Sequence, residues 1–186
     1  MGSGDSPAQT RTARADGMAN MVSAARALLE ERSAELITIR EVADASGHHH
    51  RFVQAWFGGK VGLFRAVFDQ MVEEAAMDRS ALLERSSLQP RTRALIQLLN
   101  WLVATDPDQF DTGRDTPLVD RFADSYSELG FDERTARLLA VRLVATTLSL
   151  VLFEGVLGVT DSDLADHMGL EREMVAALLS VRASGG

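Results

Sequence analysis

Apolar residues recur along this chain every three to four positions, and no stretch alternates convincingly with period two. Met21, Ala25, Leu28 and Leu29 mark one face of a helix predicted over 17–33. Ile39, Val42 and Ala43 are the stripe of a short helix opening at Thr38; another is expected over about 49–56, and Val53 and Phe57, four apart, should face the core. A long helix follows over 60–85, with Leu63, Phe64, Val67, Phe68, Met71, Val72 and Ala75 on its buried side. Leu95, Leu98, Leu99 and Leu102 define a helix over 90–105. Further helices are expected from Pro107 to Gly113 and over 117–129, 132–157, 160–168 and 170–182. Between 143 and 153 the pattern is apolar almost all round, which marks a helix buried on more than one side. The expected fold class is all-α.

Local chemistry sets the boundaries. Thr38-Ile-Arg-Glu41 has the form of a capping box, in which hydroxyl and carboxylate each bond the other residue's backbone N–H. Gly47 can take the left-handed conformation of a tight turn, and Gly58-Gly59 interrupts the next helix. Pro90, Pro107 and Pro117 suit first helical turns, and Asp132 suits a cap. Residues 1–16 carry no periodic apolar face and are expected to form a flexible arm. The segment 38–60 thus reads as helix, turn, helix.

Composition adds limits. The chain has 186 residues, 46% hydrophobic, and no cysteine, so no disulfide or cysteine-based zinc site is available. Residues 1–20 lack the apolar core of a secretory signal, and the run 143–153 is shorter than the roughly 20 residues of a membrane span. These features predict a cytoplasmic protein without a membrane partner. The net charge of −8 is uneven: residues 1–65 hold eight basic and seven acidic side chains, so the excess acid lies in the remainder. Affinity for nucleic acid depends on local cations, and the front third is not excluded from it.

His48-His49-His50 is the oddest run. Successive helical residues point about 100° apart, so three in a row cannot converge on one ion, and no metal site is expected. The chain has no Gly-rich phosphate loop, no His-Glu-x-x-His and no Gly-x-Ser-x-Gly, so neither catalytic residues nor a cofactor are predicted. Instead His48 is expected to pack in the turn, His49 to take the cap position and touch phosphate, and His50 and Arg51 to face outward as base readers. Arg51 suits bidentate contact with guanine, and Gln54 suits a phosphate or adenine. Lys60, at a helix start, suits a phosphate shared with free backbone N–H groups. Arg40 is placed to meet the DNA backbone, and Trp56 to face the core.

Residues 21–67 resemble the DNA-binding domain of the TetR family of bacterial transcription regulators. The matching runs are 24–29 (Ala-Ala-Arg-Ala-Leu-Leu), 38–47, 57–60 (Phe-Gly-Gly-Lys) and 63–67 (Leu-Phe-Arg-Ala-Val). The departures are His48 and His49, where the family usually has an apolar residue then Ser or Thr, and Gln54, where it usually has a phosphate-touching Tyr. The resemblance implies a three-helix helix-turn-helix domain over 17–65, then a helical ligand-binding and dimerisation domain over 66–186. It implies double-stranded DNA with a palindromic operator, a small-molecule effector and a homodimer as partners, most simply for a repressor. Met71, Gln97, Trp101, Phe110, Phe122, Tyr126 and Phe153 are the candidate pocket residues. Leu143, Thr147, Leu148, Val151, Met174, Leu178 and Val181 are the candidate dimer interface. The alternative is a helical binding module with weak or no DNA recognition.

Overall fold

The computed structural model describes residues 7–77, 90–110 and 116–184, and every regular element among them is helical. The helices are α1 (Pro7–Glu31), α2 (Ile39–Ser46), α3 (Arg51–Phe57), α4 (Lys60–Met77), α5 (Pro90–Thr105), α6 (Pro117–Glu128), α7 (Glu133–Leu152), α8 (Glu154–Leu157) and α9 (Asp161–Ser184). A 3-10 turn, Pro107–Phe110, follows α5. The expected helix end over 78–85 and the stop at Gly113 lie outside the described residues.

Three boundaries differ from the sequence pattern. First, α1 begins at Pro7, so residues 7–16 are helical rather than an arm. Proline fits a first turn because its missing N–H has no intrahelical partner there anyway. Second, the helix expected over 132–157 breaks at Phe153, whose φ of −113° and ψ of 18° are not helical. Third, Gly169 ends nothing. It lacks a positive φ, and α9 runs through it. Thr160 supplies the start signal for α9: its hydroxyl accepts from the Asp163 N–H at 3.3 Å, and its own N–H donates to the Asp163 carboxylate at 2.7 Å. That is a second capping box.

The chain forms two compact units, residues 1–70 with 97–111 and residues 71–96 with 112–186. The second half of α5 belongs with the first unit. The first unit buries Met21, Ala25, Leu29, Ile37, Val42, Val53, Leu63, Phe64, Val67, Leu98 and Leu102. Apart from Ile37, which lies in the connection between α1 and α2, these are positions that the 3.6-residue pattern marks as inward.

In the second unit α6 packs on α7, and Tyr126, Phe131, Ala136, Leu139, Ala140, Leu143 and Val175 form one cluster. Arg142 pairs with Glu171, and Arg182 with Asp132 at 2.9 Å, so α7 and α9 run antiparallel. Glu171 is the one buried charged residue among those described, and the Arg142 guanidinium supplies the counter-charge its burial requires. Among the described residues α7 is also the one helix long and apolar enough to cross a bilayer. Its Leu139, Ala140 and Leu143 are instead spent on the cluster with Tyr126 and Val175.

Candidate nucleic-acid interface

The candidate interface is built on the turn between α2 and α3. The Thr38 hydroxyl accepts from the Glu41 N–H at 3.2 Å, and the Thr38 N–H donates to the Glu41 carboxylate at 2.7 Å. Arg32, just past the end of α1, donates to the same carboxylate at 2.8 Å. The Thr38 backbone, then the Arg32 guanidinium, hold the Glu41 carboxyl at about 2, down from an ordinary 4.5. Gly47 closes α2 with φ of 71°, and the His48 N–H reaches the Ala43 carbonyl at 3.0 Å. A residue with a Cβ would be strained at that φ.

The three histidines of the run have different surroundings. His48 is half-buried, its ring edge-on to Trp56 at 5.8 Å. The His49 ring accepts from the Arg51 N–H at 3.2 Å, but the cap position of α3 falls to His50, whose side chain makes no capping bond, and not to His49 as the sequence pattern suggests. His50 is exposed and lies against the His49 ring at 4.2 Å. Arg51 and Gln54 are exposed on α3, and Arg40 is exposed on α2. Trp56 is half-buried and faces inward, stacked on Phe52 at 4.4 Å.

Lys60 is placed differently from a phosphate clamp. Its ammonium donates to the Glu35 backbone carbonyl at 3.1 Å and lies 5.4 Å from the Trp101 ring centroid and 5.8 Å from that of Phe64. Burial lowers its pKa, against the opposing pull of Glu35 and Glu41. The ammonium therefore points back into the first unit, and the start of α4 offers its backbone N–H groups without it.

The pattern in the sequence passes over three further residues. Phe52 is half-buried beside the exposed Arg51, whose guanidinium lies 5.0 Å from its ring centroid. Gly17, inside α1, lets Trp56 approach so closely that a Cβ would sit 2.7 Å from its Cη2. Gly62, inside α4, passes the Phe57 carbonyl so closely that a Cβ would sit 1.8 Å from the oxygen. Glycine within a helical pattern is the available signal for such close approach.

The candidate pocket residues are divided between the two units. Tyr126 is buried in the second unit's cluster, where Phe122 packs beside it. Met71 is buried, and Gln97 is exposed. Trp101 lies edge-on to Phe64 at 5.5 Å in the first unit. Phe153 is 55% exposed, so it lines no interior of the protomer. The Phe110 side chain lies outside the described residues.

The candidate dimer residues also separate. Leu143 and Val151 are buried within the protomer and cannot form its surface. Thr147, Leu148 and Met174 are intermediate, while Leu178 and Val181 are exposed. Leu138, Val141, Phe153, Val156, Leu157 and Leu170 are exposed apolar residues of the same helices and of α8 and the turn before it. The all-round apolar pattern of α7 concealed which of its stripes its own core uses.

Neither a protein-family model nor a curated protein matches the chain. Solved structures do. The TetR-family repressor AlkX from Dietzia sp. strain DQ12-45-1b, implicated in biodegradation of n-alkanes, is 24% identical over 87% of this chain and 96% of its own, with a TM-score of 0.50. A possible TetR-family transcriptional regulator from Streptomyces coelicolor A3(2) is 19% identical over 88% of this chain and 99% of its own, with a TM-score of 0.54. The chain, helical in every regular element among the described residues, thus has the fold of the TetR-family regulators, with a helix-turn-helix at 38–60.

Proposed function

We propose that the protein is a ligand-responsive, sequence-specific DNA-binding regulator acting in the cytoplasm, a repressor released from a palindromic operator by a small molecule, and not an enzyme. One observation carries the reading. Arg51 and Gln54 are exposed on α3, with His50 exposed just before it and Arg40 on α2, and neither guanidinium has a carboxylate partner among the described residues. Cations left unpaired beside a capped turn are available to phosphate and to base edges. His49 and the N-terminus of α4 supply further phosphate donors, and Lys60 joins them only by leaving Glu35 and Trp101.

Two copies would pair through the outward apolar face of α7 and α9. A dimer that sets two recognition helices on successive major grooves, roughly 34–36 Å apart, would read a palindrome. Effector binding in the second unit would favour a dimer with the wrong spacing.

One observation favours a second reading, a helical binding module with little DNA recognition: the Lys60 ammonium is already occupied. A salt titration separates the two. The protein is titrated with a duplex from upstream of its own reading frame and with a random duplex. A specific complex, weakening steeply as salt rises through counterion release, supports the regulator. Equal binding to both duplexes at low salt leaves the second reading.

A further inference from the structure

The Arg51 guanidinium has no hydrogen-bond or ion-pair partner among the described residues, yet it is not unsupported. Its carbon lies 5.0 Å from the Phe52 ring centroid. Phe52 in turn stacks on Trp56, centroids 4.4 Å apart and planes within 14°. Trp56 is held from two further sides, by the edge of His48 at 5.8 Å and by Gly17 of α1, where any Cβ would collide with the indole. A row of rings therefore runs from the buried wall of α1 to the one guanidinium on α3.

We propose that Phe52 is a positioning residue for base reading. Its ring, fixed by Trp56, holds the Arg51 guanidinium in one orientation, so that the side chain meets a guanine with its fork already aligned. The inference rests on the reading of α3 as a DNA-contacting helix. A free arginine samples many rotamers, and a cation over an aromatic face is held by the ring quadrupole. Bidentate contact with guanine O6 and N7 needs both N–H groups in one plane, so orientation decides discrimination more than charge does.

The test uses the full chain and a duplex library with randomised positions, followed by sequencing of the bound fraction. Wild type should prefer guanine at one base pair per half-site, and Arg51→Ala should lose that preference. Phe52→Leu should lose roughly tenfold of the guanine discrimination at the same base pair. Its affinity for random duplex, which reads charge, should not change. Phe52→Tyr, which keeps the ring face, should restore the preference. Replacing that guanine by 7-deazaguanine should weaken wild type and Phe52→Tyr, and leave Phe52→Leu unmoved. A Phe52→Leu protein with intact preference overturns the proposal, as does a Phe52→Tyr protein that loses it.

A measurement on the free wild-type protein covers the case in which Phe52→Leu does not fold. A nuclear Overhauser contact between the Arg51 side chain and the Phe52 ring is expected, and its absence overturns the proposal. If wild type selects no duplex while that contact is present, the reading of α3 as a DNA helix fails and the stack survives it. If wild type and Arg51→Ala behave as expected and Phe52→Leu matches wild type, only the positioning role fails.

Discussion

At the scale of single residues, the interface depends on places where a side chain must be absent. Gly62→Ala would bring a Cβ to 1.8 Å from the Phe57 carbonyl oxygen, and that atom is backbone with little freedom to yield. Alanine is better than glycine in a helix by about 1 kcal/mol, so propensity alone predicts stabilisation. Overpacking should win, with a loss of about 3 kcal/mol, read as a lower urea midpoint at unchanged slope. A variant as stable as wild type would show that α3 and α4 separate easily. Gly47 and the pair Thr38–Glu41 were legible in the sequence because their partners lie within five residues. Gly62 and Gly17 were not, because what excludes their Cβ is the path of another helix. Lys60 misled for a related reason: its place at a helix start suggested a phosphate, while its partners come from Glu35 and from Trp101, far along the chain.

At the scale of elements, caps decide more boundaries than apolar periodicity does. The two boxes, Thr38 with Glu41 and Thr160 with Asp163, start α2 and α9. Thr38→Ala should lower stability by about 1 kcal/mol, measured by thermal or urea unfolding, and an unchanged midpoint would mean that the box is decorative. The same carboxylates set a pH dependence. Glu41 and Asp132 are each held at about 2, chiefly by backbone N–H bonds from Thr38 and Thr135. A depressed carboxyl stabilises the fold above its unfolded pKa and loses that contribution as pH falls through the folded one. Stability should therefore be level above pH 5 and decline from about pH 4.5 toward 2, and Glu41→Gln should flatten part of the decline. Each contribution is small because both groups are solvent-exposed. Glycine taken alone was an ambiguous guide. Gly158 adopts φ of 65° and stops a helix, while Gly169 does not. The break at Phe153 carries neither Gly nor Pro. Arg93, bonded to Glu154 and to Asp161, ties the turn beyond it, and that long-range clamp has no periodic signal.

At the scale of the whole molecule, the helical class and the helix-turn-helix were readable, because both repeat short-range rules many times over. The partition of α7 between core and surface was not readable, since Leu143 and Val141 look equally apolar in sequence. In the structure Leu143 is 2% exposed and Val141 45%. Val141→Glu should therefore leave the fold intact by circular dichroism and convert a dimer to monomers by light scattering. A variant that stays dimeric would place the interface elsewhere. Lys60 has one more consequence at this scale. It is the only lysine in the chain, so reductive methylation with labelled formaldehyde would add, apart from the α-amine, a single pair of methyl groups. Those methyls would lie beside the Trp101 and Phe64 rings, whose ring currents displace nearby resonances. That resonance, once told apart from the α-amine's, would report whether the ammonium is docked inside the first unit or released toward a phosphate, in the intact protein.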